Sequence, residues 1–366
     1  MKNKLPVLAE VRRGSIVEAR HRGAIVAVEP DGRVIARLGN IKLITSTRST
    51  IKPMQAIPLI TSGAADRFNL MPAELAICCA SHQGEEIHTE AVAGMLVRIG
   101  LDENALMCGP HPPYSVESAR RLDRDGLAPS QLHNNCSGKH TGMLATAVHL
   151  GTPIADYVSA EHPVQLAIKR SFAQMAGLKD ELPTAIDGCS APTFGVPLKS
   201  IALAFARLAN PAESDALDEP MNLAAKRLVA AMIAHPELVG GTTGRFDTDL
   251  LRASHGKLVC KVGAEAVYSV GVLPCDRYPS GLGIAVKVED GSYRGMGPAV
   301  IETLAQLGVL DGSELEELEP YHHPEVDNRR GVVCGEVCPA FTLEQRRAGK
   351  RKKAKGKKKE RRKSKK

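Results

Sequence analysis

The sequence lacks any run of eighteen apolar residues, the length that a membrane-spanning helix needs. It also lacks a recognisable signal peptide, because residues 1–7 are too short and too polar before Pro6. An even set of cysteines is missing too: there are nine, and Cys78 and Cys79 are adjacent, which disfavours a secreted disulfide framework. We therefore expect a soluble cytoplasmic protein with no membrane partner, whose reduced cysteines are mostly small buried hydrophobes and in a few cases available for metal ligation.

The positive charge is concentrated at one end of the chain. The sequence has 48 Lys and Arg against 41 Asp and Glu, but residues 346–366 alone contain 15 basic residues and one acid, Glu360. Residues 1–345 are left with 33 basic and 40 acidic groups, so the body is acidic. We expect 346–366 to be a disordered tail. Such a tail is able to bind nucleic acid or an anionic membrane nonspecifically, and a non-enzymatic nucleic-acid binder is one alternative function; an unselected polar extension is the other interpretation.

Apolar patterning predicts strands at both ends of the chain and helices between them. Short β-branched runs separated by turn signals predict a β-meander over residues 7–44, and a hairpin is predicted over 256–272 with further strands at 283–288 and 331–337. We therefore predict an α+β fold in which both chain ends form one antiparallel sheet beside a helical region. Residues 1–345 are expected to form a single catalytic domain.

A Ser-x-x-Lys motif lies just after the predicted meander. Pro53 fits the first turn of a helix, which places Ser49 near the helix start and Lys52 one turn further on. Residues three apart share a helix face, so the Lys52 amine is predicted to reach the Ser49 hydroxyl. A lysine with a depressed pKa can act as the base that activates a serine, although this motif also occurs by chance on exposed helices.

A second polar stretch spans residues 133–144 and contains amides, a thiol, a hydroxyl, an amine and two imidazoles. It runs into the apolar residues 143–148, which predicts a loop that delivers polar groups to a helix N-terminus. Taken alone, this stretch is equally consistent with a polar helix N-cap that contains a cysteine without a functional role. The glycine-rich residues 240–247 lack the lysine and spacing of a P-loop, so we interpret them as a mobile or substrate-adjacent loop.

Five motifs in order resemble one family. The Ser-x-x-Lys motif, a later serine-bearing loop and Lys261-Val262-Gly263 are features of serine β-lactamases, penicillin-binding proteins and serine-dependent glutaminases. A closer resemblance, from about Leu5 to Pro339, is to the thermolabile, Rhizobium-type L-asparaginases of the asparaginase II family. The motifs that carry it are Arg48-Ser49-x-x-Lys52-Pro53, Ala80-Ser81-His82, residues 133–140, Asp187-Gly188-Cys189 and Lys261-Val262-Gly263-Ala264-Glu265.

The resemblance implies a serine β-lactamase/glutaminase-like fold, a homodimer, and hydrolysis of asparagine to aspartate and ammonia. The alternative is a glutaminase or another serine-dependent amidohydrolase of the same fold. The implied catalytic residues form two Ser-Lys pairs, Ser49 with Lys52 and Ser81 with Lys261. The implied zinc ligands are Cys136, Lys139 and Cys189, and the residues implied to contact the substrate are Arg48, His140 and Asp187. Ser49, which has a lysine nearby in sequence, is the preferred nucleophile.

Overall fold

The structure is a computed structural model that describes residues 5–179 and 181–345. The predicted disordered tail lies outside these residues. The strands are β1 (Val7–Arg13), β2 (Ile16–Val28), β3 (Val34–Leu38), β4 (Ile44–Ser46), β5 (Thr184–Ile186), β6 (Pro192–Pro197), β7 (Leu258–Gly263), β8 (Val267–Val272), β9 (Leu282–Val288), β10 (Glu325–Asp327), β11 (Val333–Pro339) and β12 (Glu344–Gln345).

Helices occupy most of the chain between the N-terminal and C-terminal strands. They are α1 (Lys52–Gln55), α2 (Ile57–Thr61), α3 (Ala64–Arg67), α4 (Pro72–Cys78), α5 (Glu86–Arg98), α6 (Val116–Arg124), α7 (Ser137–Leu150), α8 (Pro163–Ala176), α9 (Leu198–Ala209), α10 (Glu219–Ala234), α11 (Pro236–Val239), α12 (Phe246–Ala253), α13 (Met296–Gln306), α14 (Gly312–Glu317) and α15 (Glu319–His322). Within the described residues, none of these helices is long and apolar enough to cross a membrane.

One antiparallel sheet joins the two ends of the chain. Its strand order is β10-β11-β1-β2-β9-β8-β7, with β3 paired to β2 and β12 paired to β3. Ala9 of β1 lies opposite Pro339 of β11, and Gly23 of β2 lies opposite Val288 of β9. The predicted α+β class, with a sheet built from both chain ends beside a helical region, is confirmed.

The centre of the sheet is buried because its strands are apolar almost throughout. Ala24–Val28 of β2 are at most 1% exposed, and β8 is buried along its whole length. Helix α9 packs on this sheet through an apolar face that includes Leu198, Ile201 and Phe205, all fully buried. Strand β7 therefore has a fixed position at the end of a well-packed sheet, and β7 carries Lys261.

Two details of the helical region differ from the predictions. Helix α7 begins at Ser137, not near Met143, so the polar residues 137–140 lie inside its first turns. Residues 246 and 247, predicted to belong to a loop, begin helix α12. A separate three-stranded sheet, in the order β4-β6-β5, lies beside the predicted Ser-x-x-Lys motif.

Candidate active site

A cleft of about 790 Å³ contains both predicted catalytic serines. Ser49 and Ser81 line it together with other polar residues: Gln83, Asn135, Arg245, Asp247 and Tyr293. Ser49 is half-buried and Ser81 is 4% exposed. The cleft therefore brings together two hydroxyl groups that are 32 positions apart in the sequence.

The turn that carries Ser49 is fixed by contacts with strand β6. The Thr47 N–H donates to the Phe194 carbonyl at 2.8 Å, and the Arg48 N–H donates to the Thr193 hydroxyl at 3.1 Å. Arg48 has a φ of +45°, a left-handed conformation that is strained for a residue other than glycine. The chain then enters a 3-10 turn over Arg48–Ile51 before α1 begins at Lys52.

Lys52 is 1% exposed and its amine faces Ser81. It donates to the Ser81 hydroxyl at 3.0 Å, to the Asn135 carbonyl at 3.3 Å and to the Ala80 carbonyl. Lys52 thus joins the segments that carry Ser49, Ser81 and Asn135.

Lys261 is also fully buried, but its partner is an acid. Its amine donates to the Asp247 carboxylate at 3.1 Å and to the Val262 carbonyl at 3.1 Å. Burial lowers the pKa of Lys261 to about 8, and the charge of Lys52 lowers it as well, while Asp247 opposes the shift. Lys261 therefore changes charge in the pH range in which a general base is useful.

Gly263 lets strand β7 approach the Ser49 turn. A Cβ atom at this position would lie 2.5 Å from the Val267 side chain, 3.0 Å from the Thr50 side chain and 3.3 Å from the Thr47 carbonyl. The glycine of the Lys261-Val262-Gly263 motif is therefore required by packing against the segment that holds the nucleophile candidate.

The pairing of serines with lysines differs from the prediction. Lys52 was expected to contact Ser49 and Lys261 to contact Ser81, but within the described residues the hydrogen bond joins Lys52 to Ser81, and Lys261 pairs with Asp247. The reason is that Lys52 follows a tight 3-10 turn and its amine is drawn to buried carbonyl groups at Ala80 and Asn135. All four predicted catalytic residues nevertheless lie at or next to the cleft.

A second cluster places the three predicted metal ligands together. Cys136, Lys139 and Cys189 are each at most 5% exposed, and the Lys139 amine donates to the Cys189 sulfur at 2.9 Å. A hydrogen bond with the Cys136 thiol, together with the charge of Lys139, holds the pKa of Cys189 below its usual range. Cys136 and Cys189, which are 53 positions apart in the sequence, therefore belong to one buried sulfur-rich centre.

His140 belongs to the same cluster. It is fully buried, and its Nδ1 atom lies 2.6 Å from the Tyr157 hydroxyl. Burial, and the charge of Lys139, lower the pKa of His140 to about 4, so the ring is neutral at pH 7. The Tyr157 hydroxyl accepts from the Met107 N–H at 2.9 Å and is thereby free to donate its own proton to Nδ1.

Two connections join the cleft and the sulfur cluster. Asn135 lines the cleft and its side-chain oxygen accepts from the Cys136 thiol at 3.4 Å. Arg48, next to Ser49, forms an ion pair with Asp187 at 2.8 Å, two residues before Cys189. Arg48, His140 and Asp187 are on the cluster side and are not among the residues that line the cleft, so their predicted contact with substrate stays a prediction.

The sequence interpretation missed three residues of the site. Asp247 and Arg245 lie in the glycine-rich stretch that was interpreted as a substrate-adjacent loop, and Tyr293 was not singled out. The Arg245 guanidinium donates to the Ser81 carbonyl at 2.8 Å, which places a cation at the cleft wall. The glycine-rich composition was the available signal, but it did not indicate which charged residues face the cleft.

Comparison with known families places the chain in a class of enzymes that hydrolyse amides. The family model for L-asparaginase II matches residues 9–339. The chain therefore belongs to the L-asparaginase II family, and it is an amidohydrolase. The comparison with curated proteins gives no match.

The solved structures similar to this chain include glutaminases of low sequence identity. A probable glutaminase from Bacillus subtilis, complexed with 6-diazo-5-oxo-L-norleucine, is 15% identical with a TM-score of 0.36, covering 78% of this chain and 84% of that chain. A Bacillus glutaminase is 16% identical with a TM-score of 0.36, covering 78% of this chain and 91% of that chain. Similarity at these identities and TM-scores does not indicate the function of this chain.

Proposed function

We propose that this protein is an L-asparaginase that hydrolyses the side-chain amide of asparagine to aspartate and ammonia. The observation that carries the proposal is the cleft in which the hydroxyls of Ser49 and Ser81 face substrate-accessible space while Lys52 and Lys261 are buried beside it. A serine needs a base to become a nucleophile, and a buried lysine supplies one when its pKa is depressed. Family membership supports the choice of substrate.

Ser49 is the nucleophile in this proposal. It is the more accessible of the two serines, and no hydrogen bond engages its hydroxyl within the described residues, whereas the Ser81 hydroxyl already accepts from Lys52. The Ser49 oxygen attacks the side-chain carbonyl carbon as the base takes its proton, and the amide nitrogen then accepts that proton and leaves as ammonia. Water then hydrolyses the resulting ester, which releases aspartate and restores the serine.

Lys261 is the better candidate for the base. Its pKa of about 8 leaves part of the population neutral near pH 7.5, whereas the Lys52 amine already donates to three acceptors. The N–H groups of the Lys52 amine, or backbone N–H groups at the start of the 3-10 turn, then stabilise the developing oxyanion.

Arg245 supplies a recognition group for an amino-acid substrate. It lines the cleft and is anchored by its bond to the Ser81 carbonyl, so its remaining N–H groups are available to a ligand. A guanidinium group binds a carboxylate with good geometry. We therefore place the α-carboxylate of asparagine against Arg245.

The sulfur cluster fits a zinc ion held by Cys136, Lys139 and Cys189. Thiolates are preferred zinc ligands, and the two thiols and the Lys139 amine are buried together, with the amine 2.9 Å from the Cys189 sulfur. When bound, the ion would orient water or substrate, since two thiolates reduce its Lewis acidity. His140 and Asp187 would lie beside it as positioning groups.

Replacing Cys136 with serine is expected to remove zinc from the protein. A serine hydroxyl is a far poorer zinc ligand than a thiolate, so zinc content measured by atomic emission should fall from about one ion per chain to near zero. The exposed Cys275→Ser variant is the matched control and should keep its zinc. A purified wild-type protein without zinc, whose zinc affinity is unchanged by Cys136→Ser, would contradict the ligand assignment.

Substrate choice is tested by assaying ammonia release from asparagine and glutamine side by side, with a chromogenic β-lactam as the third substrate. We expect kcat/KM to be highest for asparagine. Equal or higher kcat/KM for glutamine would replace the asparaginase assignment with the glutaminase alternative. The homodimer and the cytoplasmic location stay predictions.

A further inference from the structure

A second cluster of metal-binding side chains lies outside the active site. Glu319, His322 and His323, at helix α15 and its C-terminal end, each offer a ligand atom, and these atoms all lie within 4.8 Å of one another. His323 Nδ1 is 3.0 Å from one Glu319 oxygen, and His322 Nδ1 is 4.0 Å from the other. The two imidazole rings are 4.1 Å apart between centroids.

His322 is held in the orientation that a metal ligand needs. Its Nε2 atom lies 2.9 Å from a Glu302 carboxylate oxygen, and the other Glu302 oxygen accepts from the Gln306 amide at 2.8 Å. The Nδ1 atom faces a Glu319 oxygen 4.0 Å away, a distance too long for a hydrogen bond. A carboxylate behind a histidine is the usual outer partner of a histidine that binds a metal.

The cluster opens into an acidic groove. Glu319 and His323 line a groove of about 910 Å³ in which the charged side chains are four glutamates, one arginine and no lysine: Arg12, Glu316, Glu319, Glu325 and Glu336. An excess of negative charge in a concave surface raises the local concentration of cations. Glu319 and His323 are thus accessible to an ion from the groove, while His322 lies buried behind them.

We propose that Glu319, His322 and His323 bind a divalent cation of the zinc class. Two imidazoles and one carboxylate form a donor set that proteins use for zinc, with a remaining position for water. A cation between Glu319 and His322 Nδ1 would also fill the 4.0 Å gap between two ligand atoms that no hydrogen bond joins. The site is separate from the sulfur cluster, which offers thiolates.

The site would act on the wall of the active-site cleft. Pro320 and Pro324 line both the acidic groove and the cleft, and Tyr321 lines the cleft from the same segment. A cation bound by residues 319, 322 and 323 therefore fixes the segment that separates the two. We expect binding to protect this segment from hydrogen exchange.

Cobalt titration of the metal-free full-length protein tests the proposal. Co²⁺ bound to nitrogen and oxygen ligands lacks the intense sulfur-to-metal charge-transfer band of a thiolate site, so the two sites are distinguished by absorbance. The double variant Glu319→Gln/His323→Gln should lose one Co²⁺ equivalent without that band. Glu316→Gln, which removes one charge from the same groove outside the cluster, should bind within about twofold of wild type, and Glu302→Gln should bind about 10–100-fold more weakly.

The proposal is overturned if the double variant binds Co²⁺ as tightly and in the same stoichiometry as Glu316→Gln. It is also overturned if the equivalent that is lost carries the charge-transfer band. The Cys136→Ser variant must leave this site intact, so failure of the zinc assignment at the sulfur cluster does not affect the result. Circular dichroism of each variant verifies that the fold is retained.

Discussion

Replacing Ser49 with alanine is expected to lower kcat for asparagine by a factor on the order of 10⁴ or more, because the attacking oxygen is removed. The half-buried hydroxyl has no hydrogen bond within the described residues, so the free energy of unfolding should change by less than about 0.5 kcal/mol. Ammonia release and thermal unfolding measure the two quantities separately. A large loss of activity at unchanged stability identifies a chemical role.

The matching experiment locates the covalent intermediate. Acid quenching of the wild-type protein during turnover, followed by peptide mass spectrometry, should find the β-aspartyl ester on the peptide that carries Ser49. An ester on the Ser81 peptide, or substantial activity in Ser49→Ala, would transfer the nucleophile to the other serine. Ser81→Ala is the informative comparison, because it removes an acceptor of Lys52 but leaves Ser49 in place.

Replacing Asp247 with asparagine is expected to shift the pH profile of kcat to lower pH. The wild-type rate should rise with pH as Lys261 loses its proton, with a midpoint near its pKa of about 8. Asp247 is the acid that stabilises the Lys261 ammonium, so removing its charge lowers that pKa further and the rising limb moves with it. An unchanged midpoint would exclude Lys261 as the titrating base.

The same substitution should cost stability. The two side chains are 0% and 1% exposed, and breaking a buried ion pair on one side typically costs on the order of 3 kcal/mol. Below pH 8 the Lys261 amine would stay charged in the wild type, and in the variant it has no counter-charge. Asp249→Asn is the control, because it makes the same change on helix α12 at a residue bonded to Tyr321 instead of Lys261.

The stability of the wild type should also depend on Lys261. Its pKa is lower in the folded protein than in the unfolded chain, so between about pH 8 and the usual range of a lysine the unfolded state binds more protons. The free energy of unfolding contributed by this group therefore rises with pH across that window. Chemical denaturation at several pH values, with Asp247→Asn for comparison, measures the slope.

Much of the sheet could be predicted because its strands have the apolar alternation and turn residues of a β-meander. The start of helix α7 could not be predicted, since Ser137, Lys139 and His140 interrupt the apolar pattern. These polar side chains are buried only because residues distant in the sequence provide their hydrogen-bond partners. His82 lies 2.9 Å from the Ser137 hydroxyl, and Cys189 accepts from Lys139. Such contacts are set by tertiary packing and leave no local sequence signal.

The candidate site also combines features that have a sequence signal with features that are set by tertiary packing. Motif order identified Ser49, Ser81, Lys52 and Lys261 as a group; both serines line one cleft, Lys52 is bonded to Ser81, and Lys261 is bonded to Asp247. The Ser-x-x-Lys spacing could not predict the bond from Lys52 to Ser81, because spacing describes a helix face and not the direction in which a buried amine extends. Asp247 was missed since its relation to Lys261 depends on how helix α12 packs against strand β7.

The pairing of β1 with β11 has a consequence for how the chain folds during synthesis. Ala9 and Pro339 are neighbours in the sheet, so one side of β1 has no partner strand until almost the whole body of the protein has been made. Long-range pairing of this kind slows folding and leaves unpaired strand edges open to aggregation. We expect the yield of folded protein to depend strongly on temperature and chaperones, because β1 cannot complete its pairing until β11 has been synthesised.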